Sequence, residues 1–242
     1  MKTKKIISLT ALALIASSTG ASTVFAADGA TYDSNGVITY IPSTTPTTPV
    51  DPTDPAKPVV PTDPTDPTGP NPGTNGPLSL DYASSFDFGT QEITSADKTY
   101  FAAANPLSDG STRPNWVQVT DNRGSLSGWT LSVEATDFTN GKTGTGSVLN
   151  GATLKLDNGH IVSASDAPAD QSVASVTLTP GASSGTILGA TDGNGAGTNL
   201  LVWGDDTTKA SSVSLAVPGK TTKLADTYQS TLTWTLTDTP AN

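Results

Sequence analysis

The chain contains no cysteine. Disulfides, thiolate nucleophiles and metal sites built on cysteine are therefore excluded. A single histidine, His160, excludes a multi-histidine metal site and a histidine relay. Charged residues make up only 14% of the 242 positions, about half the usual share. Basic residues are the scarcer kind: 12 Lys and Arg face 22 Asp and Glu, for a net charge of −10. That sign is wrong for neutralising phosphates, so nucleic acid is not an expected partner. What is plentiful is glycine (23), proline (18), threonine and serine.

The composition changes along the chain and sets four segments. Residues 1–26 read as a secretory signal peptide. Lys2, Lys4 and Lys5 form its basic start, Ile6 to Ala16 its apolar stretch, and Val24-Phe25-Ala26 its cleavage site. The apolar stretch is too short for the roughly 20 residues a bilayer span needs, so no membrane insertion is expected after its removal. No cysteine follows for a lipid anchor, and no LPxTG signal closes the chain. Attachment to a cell would have to be non-covalent. Residues 27–41 form a short head in which Val37 to Ile41 could make one strand; a lone strand is not stable, so the head is expected to be disordered, or to dock by adding a strand to a sheet edge. Residues 42–77 hold 12 prolines, nine of them at every third position from Pro46 to Pro70. That period matches polyproline II, and an extended spacer is expected.

Residues 78–242 form the expected folded domain. Their apolar residues alternate, and turn sequences such as Asp157-Asn158-Gly159, Pro180-Gly181 and Pro218-Gly219 separate the runs. Eleven strands are expected: 78–82, 86–88, 98–102, 116–120, 129–136, 152–156, 161–164, 172–178, 200–203, 212–217 and 229–237. No segment has helical periodicity, so an all-β sandwich or barrel follows. Two strands are clearly sided. Trp129, Leu131 and Val133 share one face, with Thr130, Ser132 and Glu134 on the other. Leu232, Trp234 and Leu236 share one face of the last strand, and threonines line its reverse.

These residues carry a family resemblance. Phe88-Gly89, Val117 to Asp121 leading through Arg123-Gly124 to Gly128-Trp129-Thr130-Leu131, and the terminal Leu232 to Pro240 together resemble the WxL-domain proteins of low-GC Gram-positive bacteria. The resemblance covers most of residues 78–240. It implies a surface protein held non-covalently to the cell wall, with peptidoglycan as ligand. It also implies membrane-anchored surface proteins as partners in a complex, and roles in adhesion or polysaccharide use.

The signature residues Trp129, Leu131, Trp234 and Leu236 are candidate binding residues, yet an apolar strand face in a sandwich is normally core. Trp116 and Trp203 sit at strand edges beside loops and are candidate exposed aromatic contacts for sugar rings. Between residues 78 and 242, 16 acids outnumber 8 bases, so bulk charge cannot draw the domain to an anionic wall. A local patch of Lys209, Lys220 and Lys223, a neutral contact, or bridging cations would be needed, and lower pH should help. No catalytic residues, cofactor or metal are expected. His160 reads as a turn histidine, no pair of carboxylates stands out, and Asp192 to Gly197 echoes a calcium loop without its closing glutamate. A hydrolase is the weakest reading, behind a wall-binding module and a protein-binding subunit or adhesin.

Overall fold

The computed structural model describes residues 31–242. The expected signal peptide and residues 27–30 lie outside the described residues. Residues 31–39 and 40–242 separate into two units. In the first, the backbone has no regular structure and the side chains are exposed. The strand considered over Val37 to Ile41 does not form, because no neighbouring strand pairs with it.

The larger unit is built from strands alone. The first eight are β1 (Val50–Asp51), β2 (Asp54–Pro58), β3 (Leu78–Ala83), β4 (Lys98–Phe101), β5 (Asn105–Pro106), β6 (Thr112–Arg113), β7 (Asn115–Asp121) and β8 (Trp129–Ala135). The second eight are β9 (Thr153–Asp157), β10 (Gly159–Ser163), β11 (Gln171–Ser172), β12 (Ser175–Leu178), β13 (Ser183–Ala190), β14 (Gly197–Trp203), β15 (Val213–Val217) and β16 (Leu232–Thr237). Three four-stranded sheets have the orders β10-β14-β7-β3, β11-β13-β8-β16 and β12-β9-β15-β4, and two short ribbons pair β1 with β2 and β5 with β6. Every pairing is antiparallel. The all-β, sandwich-like expectation holds.

The three sheets share one main core. Val117, Val119, Leu201 and Trp203 enter it from the first sheet, Trp129, Leu131, Val133 and Leu188 from the second, and Leu154, Leu156 and Val213 from the third. The first sheet is also apolar on its reverse. All seven residues of β7 are buried, and Trp116, Leu200 and Val202 pack there with Tyr82 and Leu107. A continuous run such as Leu200-Leu201-Val202-Trp203 belongs to a strand buried on both faces.

Something must cover that second face, and the proline segment does. Val50 and Val59 pack on the Trp116 cluster. The Val50 amide donates to Gln118 Oε1 at 2.8 Å, and Gln118 Nε2 donates to the Thr48 carbonyl at 3.1 Å. Asp51, only 5% exposed, accepts from Arg113 Nε at 2.8 and 2.9 Å. Further along, Thr74 N–H donates to the Leu80 carbonyl at 2.8 Å. The expectation of a free spacer over residues 42–77 is thus corrected for its packed part. The three-residue proline period describes the backbone's stiffness, but the valines and Asp51 between the prolines give it a side that binds the sheet.

Other strand assignments differ too. Phe86 to Phe88 has no strand, although Phe86 and Phe88 still pack on the core. The short β5 and β6 were not expected, and the strand expected over 172–178 is divided into β11 and β12. Strand β13, which contains Gly185 and Gly189, was not expected either. Gly189 lies so close to the next strand that a Cβ would stand 3.1 Å from the Trp129 carbonyl and 2.9 Å from Ala241 Cβ.

Candidate functional site

The two Trp-x-Leu units, about a hundred residues apart in sequence, are neighbours in space. Strand β16 pairs with β8 so that Leu236 lies opposite Leu131, Trp234 opposite Val133, and Leu232 opposite Ala135. Side chains opposite one another across a pair share a face. Both units therefore turn their Trp and Leu inward. Trp129 and Leu131 are fully buried, while Trp234 and Leu236 pack on the core from the half-buried outer strand.

Each signature tryptophan has a specific support. Trp129 Nε1 donates to the Gly195 carbonyl at 3.1 Å, so the glycine-rich run 192–197 is a cradle for this indole. Gly195 has φ +87° and no room for a Cβ beside the ring and Ala190. Trp234 lies on Trp203, with ring centroids 5.9 Å apart and planes tilted by 38°. The loop entering β8 is pinned by Arg123, which reaches Asp121 at 2.8 Å and the Gly128 carbonyl at 2.7 Å.

The expectation that Trp116 and Trp203 are exposed contacts is overturned: both are 0% exposed. Trp116 stacks at 4.6 Å on Tyr82 beneath the proline segment, and Trp203 carries Trp234. Their sequence neighbours, Pro-Asn and Gly-Asp-Asp, suggested loops, but strands β7 and β14 extend through both positions. Of the three lysines suggested as a local patch, Lys209 contacts Asp206 at 3.1 Å, Lys223 donates to the carbonyls of Thr94, Pro218 and Thr221, and Lys220 is exposed.

The reverse of the paired strands faces outward. Thr237, Thr235 and Thr233 of β16 stand beside Thr130, Ser132 and Glu134 of β8. The three β16 threonines and Glu134 are exposed, and the Thr130 and Thr237 hydroxyls are 2.7 Å apart. At one end of this face lies an open cavity of ≈ 400 Å³, lined by Thr130, Gln171, Ser172, Thr186, Pro240 and Asn242 among others. The polar side chains that line it are hydroxyls and amides. This hydroxyl face is legible in the sequence as the reverse of each sided strand.

Other candidate chemistry does not assemble. His160 Nδ1 is 3.2 Å from the Asn158 carbonyl on an exposed strand end. Among the described residues no group of three acids or histidines is placed to hold a metal ion. Asp205 is committed to a turn: the Thr207 and Thr208 hydroxyls and amides all donate to it at 2.7–2.9 Å and hold its carboxyl well below the ordinary range.

These features define a sandwich-like β module organised around two paired Trp-x-Leu strands. The family model described as "WxL domain surface cell wall-binding" matches residues 27–240. The chain belongs to the WxL domain family and is a wall-binding protein of the cell surface. The match runs across the proline segment, which the fold also incorporates. No curated protein and no solved structure matches the chain.

Proposed function

We propose that the chain is a non-catalytic module that binds the glycan of peptidoglycan through the hydroxyl face of β8 and β16. The observation that carries this reading is the division of each signature strand: tryptophan and leucine inside, threonine outside. A row of neutral hydroxyls about 4.7 Å apart across strands with an adjoining groove of amides suits sugar hydroxyls and needs no attractive charge. That matters for a chain of net charge −10 on an anionic wall. Export by residues 1–26 would bring it there.

The test is retention on protein-free sacculi, with and without wall teichoic acid, using the whole exported chain. Thr235→Ala with Thr237→Ala removes two exposed hydroxyls. Each hydrogen bond contributes on the order of 1 kcal/mol, so a loss of about thirtyfold in affinity is expected, with an unchanged unfolding midpoint. Full retention by the double variant would refute the assignment of this face.

Acidification should do less than the sequence suggested. Lys142 and neighbouring hydrogen bonds hold Asp226 below its ordinary value, and hydrogen bonds from Thr68 do the same for Asp66. Such carboxylates stay charged at pH 5, so retention should be nearly flat from pH 8 to 5. A several-fold rise over that window would restore the idea that carboxylate repulsion limits binding.

A second reading, a subunit that binds other surface proteins, is favoured by one observation: among the described residues the outer edge of β16 has no strand partner.

A further inference from the structure

A sheet edge offers unpaired N–H and C=O groups, and proteins usually blunt it with charge, proline, a bulge or a covering segment. Edge strand β3 is covered in this way: Thr74 bonds Leu80 in both directions, through its amide at 2.8 Å and its hydroxyl at 2.9 Å. Strand β16 is different. It is the outermost strand of its sheet, six residues long, and its only backbone partner among the described residues is β8. Its sequence, Leu-Thr-Trp-Thr-Leu-Thr, has no charge and no proline, and its pairing runs without a bulge. Leu232, Trp234 and Leu236 remain half exposed along it.

The same chain carries an unused strand. Val37 to Ile41 is uncharged, β-branched or aromatic at every position, and bounded by Gly36 and Pro42. In the structure its side chains are open to solvent: Val37 is 91% exposed, Ile38 73%, Tyr40 84% and Ile41 84%. Apolar side chains at this spacing form a pleated strand once a neighbour supplies the hydrogen bonds.

We propose that residues 37–41 of one copy add as a fifth strand to the β16 edge of a second copy. The alternation gives the segment a face of Ile38 and Tyr40 and a face of Val37, Thr39 and Ile41. With Ile38 and Tyr40 beside Leu232, Trp234 and Leu236, the apolar face is extended, and Thr39 continues the threonine row outside, flanked by Val37 and Ile41. The contact joins two different surfaces, so it is head-to-tail: each copy offers one strand and one edge, and copies can add successively. Along a wall this multiplies weak glycan contacts through avidity.

The absence of cysteine makes the test clean. The exported chain with Thr39→Cys is mixed with separate chains carrying Thr233→Cys, Thr235→Cys or Thr237→Cys, and oxidised. Opposed residues in adjacent strands have Cα atoms about 4.5–5.5 Å apart, within disulfide reach. One of the three pairings should give a mixed disulfide between the two chains, and light scattering of the unsubstituted chain should show dimers and larger species as concentration rises. Ile38→Pro should abolish both while leaving the unfolding midpoint of the larger unit unchanged. A chain that remains monomeric and cross-links with none of the three overturns the proposal. A disulfide that forms only within a single chain bearing both cysteines overturns the second copy as occupant.

Discussion

The pairing of Leu131 with Leu236 predicts that the signature leucines act on stability together. Leu131 is fully buried between Leu188 on one side and Leu236 on the other. Its truncation to alanine should cost about 3 kcal/mol, the middle of the range for buried leucines. Leu236 is half-buried on the outer strand, so Leu236→Ala should cost about half as much, ~1.5 kcal/mol. The pair is in direct cross-strand contact, so the double variant should lose less than the sum of the two, by about 0.5–1 kcal/mol. Urea unfolding followed by tryptophan fluorescence measures all four corners of the cycle, and the Leu131 variant should also melt about 6–12 °C lower. Retention on sacculi, measured below the unfolding transition, should be unaffected by Leu236→Ala. Additive losses would refute the direct pairing. A fully stable Leu236→Ala chain that no longer holds to sacculi would refute the structural role and make the leucine a contact residue.

Gly128→Ala should destabilise by 2 kcal/mol or more, on the order of other forced left-handed residues: Gly128 has φ +67°, and a Cβ would overlap the Ala190 carbonyl and Pro240. Calorimetry checks the loss, and an unchanged melting curve would contradict the close approach of the C-terminal residues. Asp51→Ala leaves Arg113 unpaired in a part-buried site and should cost about 2 kcal/mol; limited proteolysis should then cut residues 43–77 first, and cleavage elsewhere would place the weak point wrongly. The pH dependence has two opposed parts. Burial raises the Asp81 carboxyl above its ordinary value, despite hydrogen bonds from Ser79, Thr120 and Gln118, so its contribution is fully present below the unfolded pKa and is lost as pH rises through the folded one. At Asp51 burial also pushes upward, but hydrogen bonds from Thr53 and Arg113 prevail and lower the value; its contribution is present above the unfolded pKa and lost as pH falls through the folded one. Urea midpoints should therefore rise on mild acidification and collapse below about pH 3.5, and Asp81→Asn should flatten the rise while sparing the collapse. An identical rise in Asp81→Asn would reject this source.

Much of the fold was legible because period-2 alternation survives wherever one strand face meets water. Strands β8 and β16 are of that kind, and the sequence alone assigns their sides. Legibility failed where that condition failed. Strands β7 and β14 are buried on both faces, so alternation did not reveal which side Trp116 and Trp203 take. Strand β13 is central, yet Gly189 must be small to let Trp129 and Ala241 approach, and a glycine demanded by packing looks the same in sequence as one demanded by a turn. The proline segment misled for a related reason. Its period reports local stiffness, while its partners, Gln118 and Arg113, lie some sixty to seventy positions away.

The signature itself then takes on a different meaning. In Trp129-Thr130-Leu131 and Trp234-Thr235-Leu236 the two named side chains point toward the core, fully buried in the first motif and partly buried in the second, and the middle residue lies on the opposite face. Trp129 needs the Gly195 carbonyl, Trp234 needs Trp203, and Leu131 needs Leu236. None of these side chains can be turned outward to a ligand without opening the sheet. Truncating a fully buried one such as Trp129 or Leu131 would lower the folded population, so loss of binding measured without a stability control would not identify a contact. The middle residues, Thr130 and Thr235, can be changed without touching the core. Thr130 lies opposite Thr237, and Thr235 lies opposite Ser132, so the register that joins the two motifs inside also assembles the hydroxyls outside. The Trp-x-Leu pattern is the clasp that builds a threonine surface, the surface proposed above to meet the glycan.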